Sequence, residues 1–310
     1  MFFIESLVKQ FMPEWDEDTK LGITCISTTN PVYLIFHDHG EYPALVARVA
    51  VNDHVCETHR KMTRLYEHVG DLIPEPLGLL SSGTQQIAIQ RGAEGTPWFQ
   101  LSSVYATKKR WDELRDRALH ALYQLHVGAA KMAEGGGMCR PGEELRQCFA
   151  LCVKSGTKLS EDVISHVENM AVHLDKLGVV PAAPQHGDFC LNNLLVGEGD
   201  IRIIDFEDFL YTTMPLHDEF SLALSMYSQA PAACNATLKF EFNACTRASL
   251  ERLGFENDVL PGFFMFHLLL RLGSWSQDEN RAKYREWLMS LLQEFVVDPA
   301  AFIFGQDSTI

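Results

Sequence analysis

The residues best equipped for chemistry lie close together, between Gln185 and Asp208, in the stretch QHGDFCLNNLLVGEGDIRIIDFED. Asp188, Asn193 and Asp205 supply two carboxylates and an amide oxygen. Leu194 to Val196 and Ile201 to Ile204 are short apolar, β-prone runs on either side of Gly197-Glu198-Gly199-Asp200, a composition that predicts a tight hairpin. A hairpin brings its flanks together, so Asp188 and Asn193, ahead of the first strand, meet Asp205 at the end of the second. That set suits phosphoryl transfer. One aspartate accepts the proton of an attacking hydroxyl, while the asparagine and the other aspartate hold a Mg²⁺ that neutralises phosphate charge. A lone Asp-x-x-x-x-Asn is a weak signal, because turns are rich in both residues. Three elements in the right order at short spacing are a strong one.

The same residues carry a resemblance. His186-Gly187-Asp188 with Asn193, followed by Ile204-Asp205-Phe206-Glu207, resembles the H-G-D-x-x-x-x-N and I-D-F-E motifs of the aminoglycoside phosphotransferase and choline kinase family. The resemblance implies an α+β, two-lobed, protein-kinase-like fold: a small antiparallel sheet lobe with one helix, and a larger, mainly helical lobe. It also implies ATP as donor, Mg²⁺ as cofactor and the hydroxyl of a small molecule as acceptor. Asp188 becomes the catalytic base, and Asn193 and Asp205 the metal ligands. His186, Glu207 and Asp218 become supporting residues. His186 holds the loop through its backbone or through Asp205, Glu207 adds charge near the metal together with Asp208, and Asp218 braces the loop from the start of a helix. On these roles Asp188→Ala should cost several orders of magnitude in turnover and little in folding.

The elements that must position these residues can be read along the chain. Residues 2 to 12 form a short amphipathic helix, broken at Pro13. Ile23 to Ser27, Val32 to Phe36 and Leu45 to Ala50 read as three short antiparallel strands. In the family's pattern the first connection, Ser27-Thr28-Thr29-Asn30, covers the nucleotide phosphates; it has none of the usual glycines, and an ordinary hairpin turn explains it equally well. Arg48, on the third strand, stands where the family has a Lys or Arg that reaches the phosphates, and a guanidinium can fork onto phosphate oxygens. Glu57, on the following helix, stands where the family places the acid that pairs with that cation, with Glu67 as the fallback. Gln86 to Gln90 is the last strand of a small lobe spanning 1–91. Residues 92–97 form the hinge and 98–310 the catalytic and acceptor-binding lobe. Backbone groups around Gln90, Arg91 and Gly92 would meet the adenine edge, a mode of recognition that leaves ATP and GTP undistinguished.

Beyond the hinge, Asp112 to Met132 has apolar residues at three- and four-residue steps and predicts a buried helix, with His126 as a core histidine. Helices near 142 to 155 and 160 to 177 follow, and three apolar-rich helices span Ala232 to Phe295. In relatives this last region builds the acceptor pocket. Its aromatic residues Phe263, Phe264, Phe266, Trp275, Tyr284 and Trp287 read as core rather than as a cage for a quaternary amine.

Composition narrows the function classes. A formal net charge of -15 argues against binding to nucleic acid or anionic membranes and permits a cationic acceptor. No apolar run is long enough for a spanning helix, the N-terminus lacks a basic segment ahead of its apolar one, and the eight cysteines show no CxxC pairs, a pattern expected of free thiols in a cytoplasmic protein. Three other readings stay open. A kinase-like scaffold could bind nucleotide without turnover. A His-Asp phosphohydrolase would need metal-ligating histidines on helices. A protein kinase would carry H-R-D, D-F-G and A-P-E signatures, which this chain lacks. The acceptor itself is open among aminoglycosides, choline or other amino alcohols, sugars and homoserine.

Overall fold

The computed structural model describes residues 2–13, 15, 20–26, 31–38, 40–50, 54–82, 84–132, 137–273 and 281–304. Helix α1 (Phe2–Phe11) is followed by strands β1 (Leu21–Cys25), β2 (Val32–His37) and β3 (Leu45–Ala50), helix α2 (His54–Val69), and strands β4 (Pro76–Ser82) and β5 (Gln85–Arg91). These strands form one antiparallel sheet in the order β1-β2-β3-β5-β4. Alternation along β3 buries Leu45, Ala47 and Val49 on one face, where Ile4, Leu7 and Val8 of α1 complete a small core with Ile35, Ile87 and Ile89. Arg48 lies between those inward residues and so projects from the opposite face, the one toward α2 and the second lobe. The sheet thus has a helix on each side, both read from the sequence, α1 in addition to the one helix of the family's small lobe.

After β5 the short strand β6 (Thr96–Pro97) pairs not with the five-stranded sheet but with the hairpin of the larger lobe. The connection is tight at Gly92, where a Cβ would sit 1.6 Å from the Pro43 carbonyl oxygen, so only glycine fits. Helix α3 (Lys108–Ala129) starts earlier than its apolar pattern suggests, because Thr107 caps it by accepting from the Arg110 N–H. Strand β7 (Met138–Cys139), α4 (Pro141–Lys154), α5 (Glu161–Asp175) and strand β8 (Val180–Pro181) follow. The hairpin β9 (Leu194–Val196) and β10 (Ile201–Ile203) forms where expected, with Leu194 opposite Ile203 and Val196 opposite Ile201. Helices α6 (His217–Gln229), α7 (Leu238–Leu253), α8 (Leu260–Leu272), α9 (Ala282–Val297) and α10 (Pro299–Phe304) complete the chain.

The larger core is built around α8, whose Phe263, Phe264, Met265, Phe266, Leu268 and Leu269 are all buried. Each such side chain contributes about 1.5–3 kcal/mol on burial. The three phenylalanines are therefore core, as their spacing suggests, whereas Tyr284 and Trp287 pack against each other at its edge. Among the described residues no helix is long and apolar enough to cross a membrane. Cys56, Cys139, Cys148, Cys152, Cys190, Cys234 and Cys245 are free thiols.

Candidate active site

The loop from Gln185 to Asn193 is held by an anchor in the protein interior. Asp218, in the first turn of α6 and fully buried, accepts from the His186 N–H through Oδ2 at 2.6 Å and from the Gly187 N–H through Oδ1 at 3.0 Å. Its own N–H donates to Gln185 Oε1 at 2.9 Å. From α3, His126 Nε2 lies 3.3 Å from Asp218 Oδ2. Burial pushes the Asp218 carboxyl up, but the hydrogen bond and charge of His126 and the neighbouring histidines outweigh it and hold the group below the usual carboxylate range. Burial likewise pushes His126 down, and its bond to Asp218 carries it above its ordinary value. The core histidine anticipated from sequence thus meets a buried carboxylate, in a contact that is an ion pair when its ring is protonated.

His186 settles the loop's shape. Its ring is buried edge-on against Phe206, Nε2 donates to the Ile204 carbonyl at 3.1 Å, and Nδ1 accepts from the Asp188 N–H at 3.3 Å. Of the two partners considered for it, His186 takes the backbone and not Asp205. Beneath the loop, His217 Nε2 reaches the Gly187 carbonyl at 3.2 Å and His217 Nδ1 meets His267 Nδ1 at 3.2 Å. Burial and the Arg271 charge push His217 down to about 4, and burial with the His217 charge pushes His267 well down, so the pair is neutral. Gly187 has φ +90°, and a Cβ there would lie 2.3 Å from the Asp208 carbonyl oxygen; no other residue fits this crossing.

This scaffold brings the three predicted residues together. Asn193 Nδ2 donates to the Asp188 carbonyl at 2.9 Å and to Asp188 Oδ2 at 3.1 Å. The Ile204 N–H donates to the Asn193 carbonyl at 3.0 Å, continuing the hairpin ladder and bringing the start of the Asp205 segment to Asn193. Asp205 is in the left-handed region at φ 67°, unusual for a residue other than glycine and a conformation that the packed hairpin must enforce. From β3, Arg48 Nη2 reaches Asp205 Oδ1 at 3.0 Å and Nη1 contacts Glu207 Oε1, linking the small lobe to the hairpin. Burial pushes the Arg48 guanidinium down, and Asp205 and Glu207 more than restore it.

Three expectations need correction. Glu57 does not pair with Arg48: it is exposed, its ion pair is with Lys61 at 2.8 Å, and Glu67 is exposed as well. The rotation of α2 turns Lys61 toward the site instead, where Nζ lies 3.4 Å from the Phe209 carbonyl. The second concerns the N–H groups of the hinge, and not its carbonyls. The Arg91 N–H donates to the Glu75 carbonyl at 2.8 Å and the Gly92 N–H to the Ala44 carbonyl at 2.9 Å, so neither is free for an adenine edge. Gln90 is paired within the central strand, opposite both Val46 and Pro76. The third is the small folding cost expected of Asp188→Ala, because Asp188 is not isolated. Arg271 of α8, buried, contacts Asp188 Oδ1 through Nη2. Burial would raise the Asp188 carboxyl, yet Arg271, His186 and Asn193 hold it below its ordinary value. Arg271 was missed by sequence reading. The phosphate-covering assignment to Ser27, Thr28, Thr29 and Asn30 lies outside the described residues, as does Trp275.

Among the described residues no three His, Cys, Asp or Glu side chains come together as a metal cage. Mg²⁺ needs none, since it is commonly held by one or two protein oxygens and the substrate's phosphates. The donor set fits that pattern: Asn193 spends its NH₂ on Asp188, which leaves its side-chain oxygen, a hard ligand, and the backbone bond from Ile204 to Asn193 brings in Asp205, whose carboxylate is a second one.

Solved structures share this architecture. The ternary complex of a thermostable mutant of aminoglycoside phosphotransferase APH(4)-Ia with ADP and hygromycin B is 16% identical, with TM-score 0.62, covering 94% of this chain and 97% of that one. Choline kinase from Cryptosporidium parvum Iowa II is 13% identical, with TM-score 0.61 and 98% coverage of both chains. A putative fructosamine-3-kinase from Thermobifida fusca is 16% identical, with TM-score 0.58, covering 93% and 96%. The fold is therefore the two-lobed, protein-kinase-like α+β fold expected from the sequence. No curated protein matches the sequence. A profile described as the phosphotransferase enzyme family (APH) matches residues 27–251, well over half of the 310, and the chain belongs to that family.

Proposed function

We propose that this protein transfers the γ-phosphate of Mg²⁺-ATP to a hydroxyl of a small molecule, with residues 1–91 and 98–310 as its two lobes and 92–97 as the hinge. The observation that carries the reading is the continuous linkage Asp188–Asn193–Ile204–Asp205, closed from the other lobe by Arg48. Asp188 orients the acceptor hydroxyl and takes its proton as the oxygen bonds to phosphorus and the bond to the departing ADP breaks. Asn193 Oδ1 and the Asp205 carboxylate are the residues that would hold Mg²⁺, whose charge offsets that of the phosphate oxygens. Arg48 contributes a second positive charge at the phosphates, anchored by Glu207. His186 and Asp218 keep the loop rigid, so the reacting groups meet without reorganisation.

The acceptor is a small hydroxylated molecule, of the aminoglycoside, amino alcohol or sugar class. The test is ADP release from Mg²⁺-ATP across aminoglycosides, choline, ethanolamine, homoserine, pentoses and nucleosides, with Asp188→Asn in parallel. Acceptor-dependent release that the variant loses supports the reading; absence of ATP binding overturns it. The Arg48 anchor gives a separate prediction. Glu207→Gln should weaken Mg²⁺-ADP binding about fivefold, equivalent to about 1 kcal/mol for a partly exposed ion pair. Glu57→Gln should leave it within about twofold, because that acid is spent on Lys61. Isothermal titration calorimetry reads both, and equal effects would return the anchor to α2.

A further inference from the structure

We propose that Arg271 is a positioning residue of the transfer site: it fixes one oxygen of the Asp188 carboxylate while Asn193 fixes the other, presetting the carboxylate to receive the acceptor hydroxyl. This rests on the reading of Asp188 given above. Helix α8 has the sequence LPGFFMFHLLLRL, in which Arg271 is the only residue with a permanent charge. Placing a guanidinium in such a helix, 3% exposed, is costly unless a partner meets it. Its Nη2 contacts Asp188 Oδ1 across 83 residues of sequence. The other carboxylate oxygen accepts from Asn193 Nδ2 at 3.1 Å, and the Asp188 N–H is tied to His186. Both oxygens and the backbone of this residue are therefore held, from two different elements.

A carboxylate has about four acceptor positions, so two donors leave room for a hydroxyl. The guanidinium also makes Asp188 a weaker base. Phosphoryl transfer tolerates that, because its loose transition state relies on positioning and charge neutralisation more than on strong proton abstraction. Arg271 is poorly placed for acceptor binding, being buried and turned onto Asp188. Its planar fork explains the choice of residue: lysine keeps the charge and loses the rigid geometry.

The test uses the full chain with Mg²⁺-ATP, water standing in for the acceptor hydroxyl, and follows ADP release from pH 4 to 9. Arg271→Met is expected to lower kcat about tenfold or more, with KM for ATP within about twofold. Arg271→Lys should recover part of the loss. Combined with Asp188→Asn, Arg271→Met should add nothing, since both act through one carboxylate. An unchanged kcat, a loss confined to KM, or additive losses in the double variant would overturn the proposal. If Arg271→Met fails to fold, the lysine variant decides on the same split between kcat and KM. A wild type that binds no Mg²⁺-ATP defeats the phosphotransferase reading by itself. Urea midpoints of the wild type, both single variants and the double variant then decide the positioning: coupled effects uphold it and additive ones overturn it.

Discussion

Asp188→Asn is expected to lower phosphoryl transfer by roughly 10²–10⁴-fold, the usual contribution of a positioned general base. The loss should appear in kcat, with nucleotide affinity retained, because Asn193, Asp205 and Arg48 stay in place. Asparagine is the right replacement for a reason visible only in the structure. Asp188→Ala removes the carboxylate that meets the buried Arg271 guanidinium, and breaking such a buried pair from one side costs about 3–5 kcal/mol. The alanine variant should therefore unfold at distinctly lower urea concentration than the asparagine variant, which keeps an oxygen for Arg271. Matching midpoints for the two would show that the pair contributes little to stability. The small folding cost expected of alanine from the sequence leaves Arg271 out of account.

Asp218→Asn should be costly in a different way. The amide has one acceptor oxygen where the carboxylate has two, so one of the His186 and Gly187 N–H groups loses its partner, and His126 loses its countercharge. Breaking this buried set is expected to cost about 3–5 kcal/mol in urea denaturation at pH 5.5 to 6. The pH dependence has a defined sign. Asp218 is held below its ordinary carboxyl value, so its contribution is present above about pH 3.9 and fades as pH falls through the lowered folded value. His126 is raised above its ordinary value, so its contribution is present below about pH 6.5 and fades as pH rises through the folded value. The gap between wild type and variant should be widest between those limits and narrow on the alkaline side. A gap that stays level from pH 5 to 9 would mean that His126 pairs with Asp218 as a neutral ring.

What could be read from the chain alone follows sequence distance. Asp188, Asn193 and Asp205 were legible because 18 residues of loop, strand, glycine turn and strand bring them together by local rules. Arg48 was legible because it stands on the third strand, where the family's pattern has a Lys or Arg. Glu57 was misplaced because a helix's rotation about its axis is set by what it packs on. Met62 and Leu65 face the large core, which turns Glu57 to solvent and Lys61 to the loop after Asp205. Hinge amides carry no side-chain mark, so their capture by Glu75 and Ala44 could not be foreseen. Arg271 did leave a signal, a charge in an otherwise apolar helix. Such a residue announces a buried partner without saying which one.

The contacts that complete the site also differ in how late the chain can make them. Asp218 reaches His186 over 32 residues, Arg271 reaches Asp188 over 83, and Arg48 reaches Asp205 over 157. During synthesis the small sheet emerges long before the hairpin it must meet, and α8 emerges after the loop it must hold. Loop closure slows with separation, so a braced loop should precede a fixed carboxylate, and the join between the lobes should come last. A nascent or refolding chain can thus be compact, with its large core formed around α8, and still lack the final ion pair between its halves.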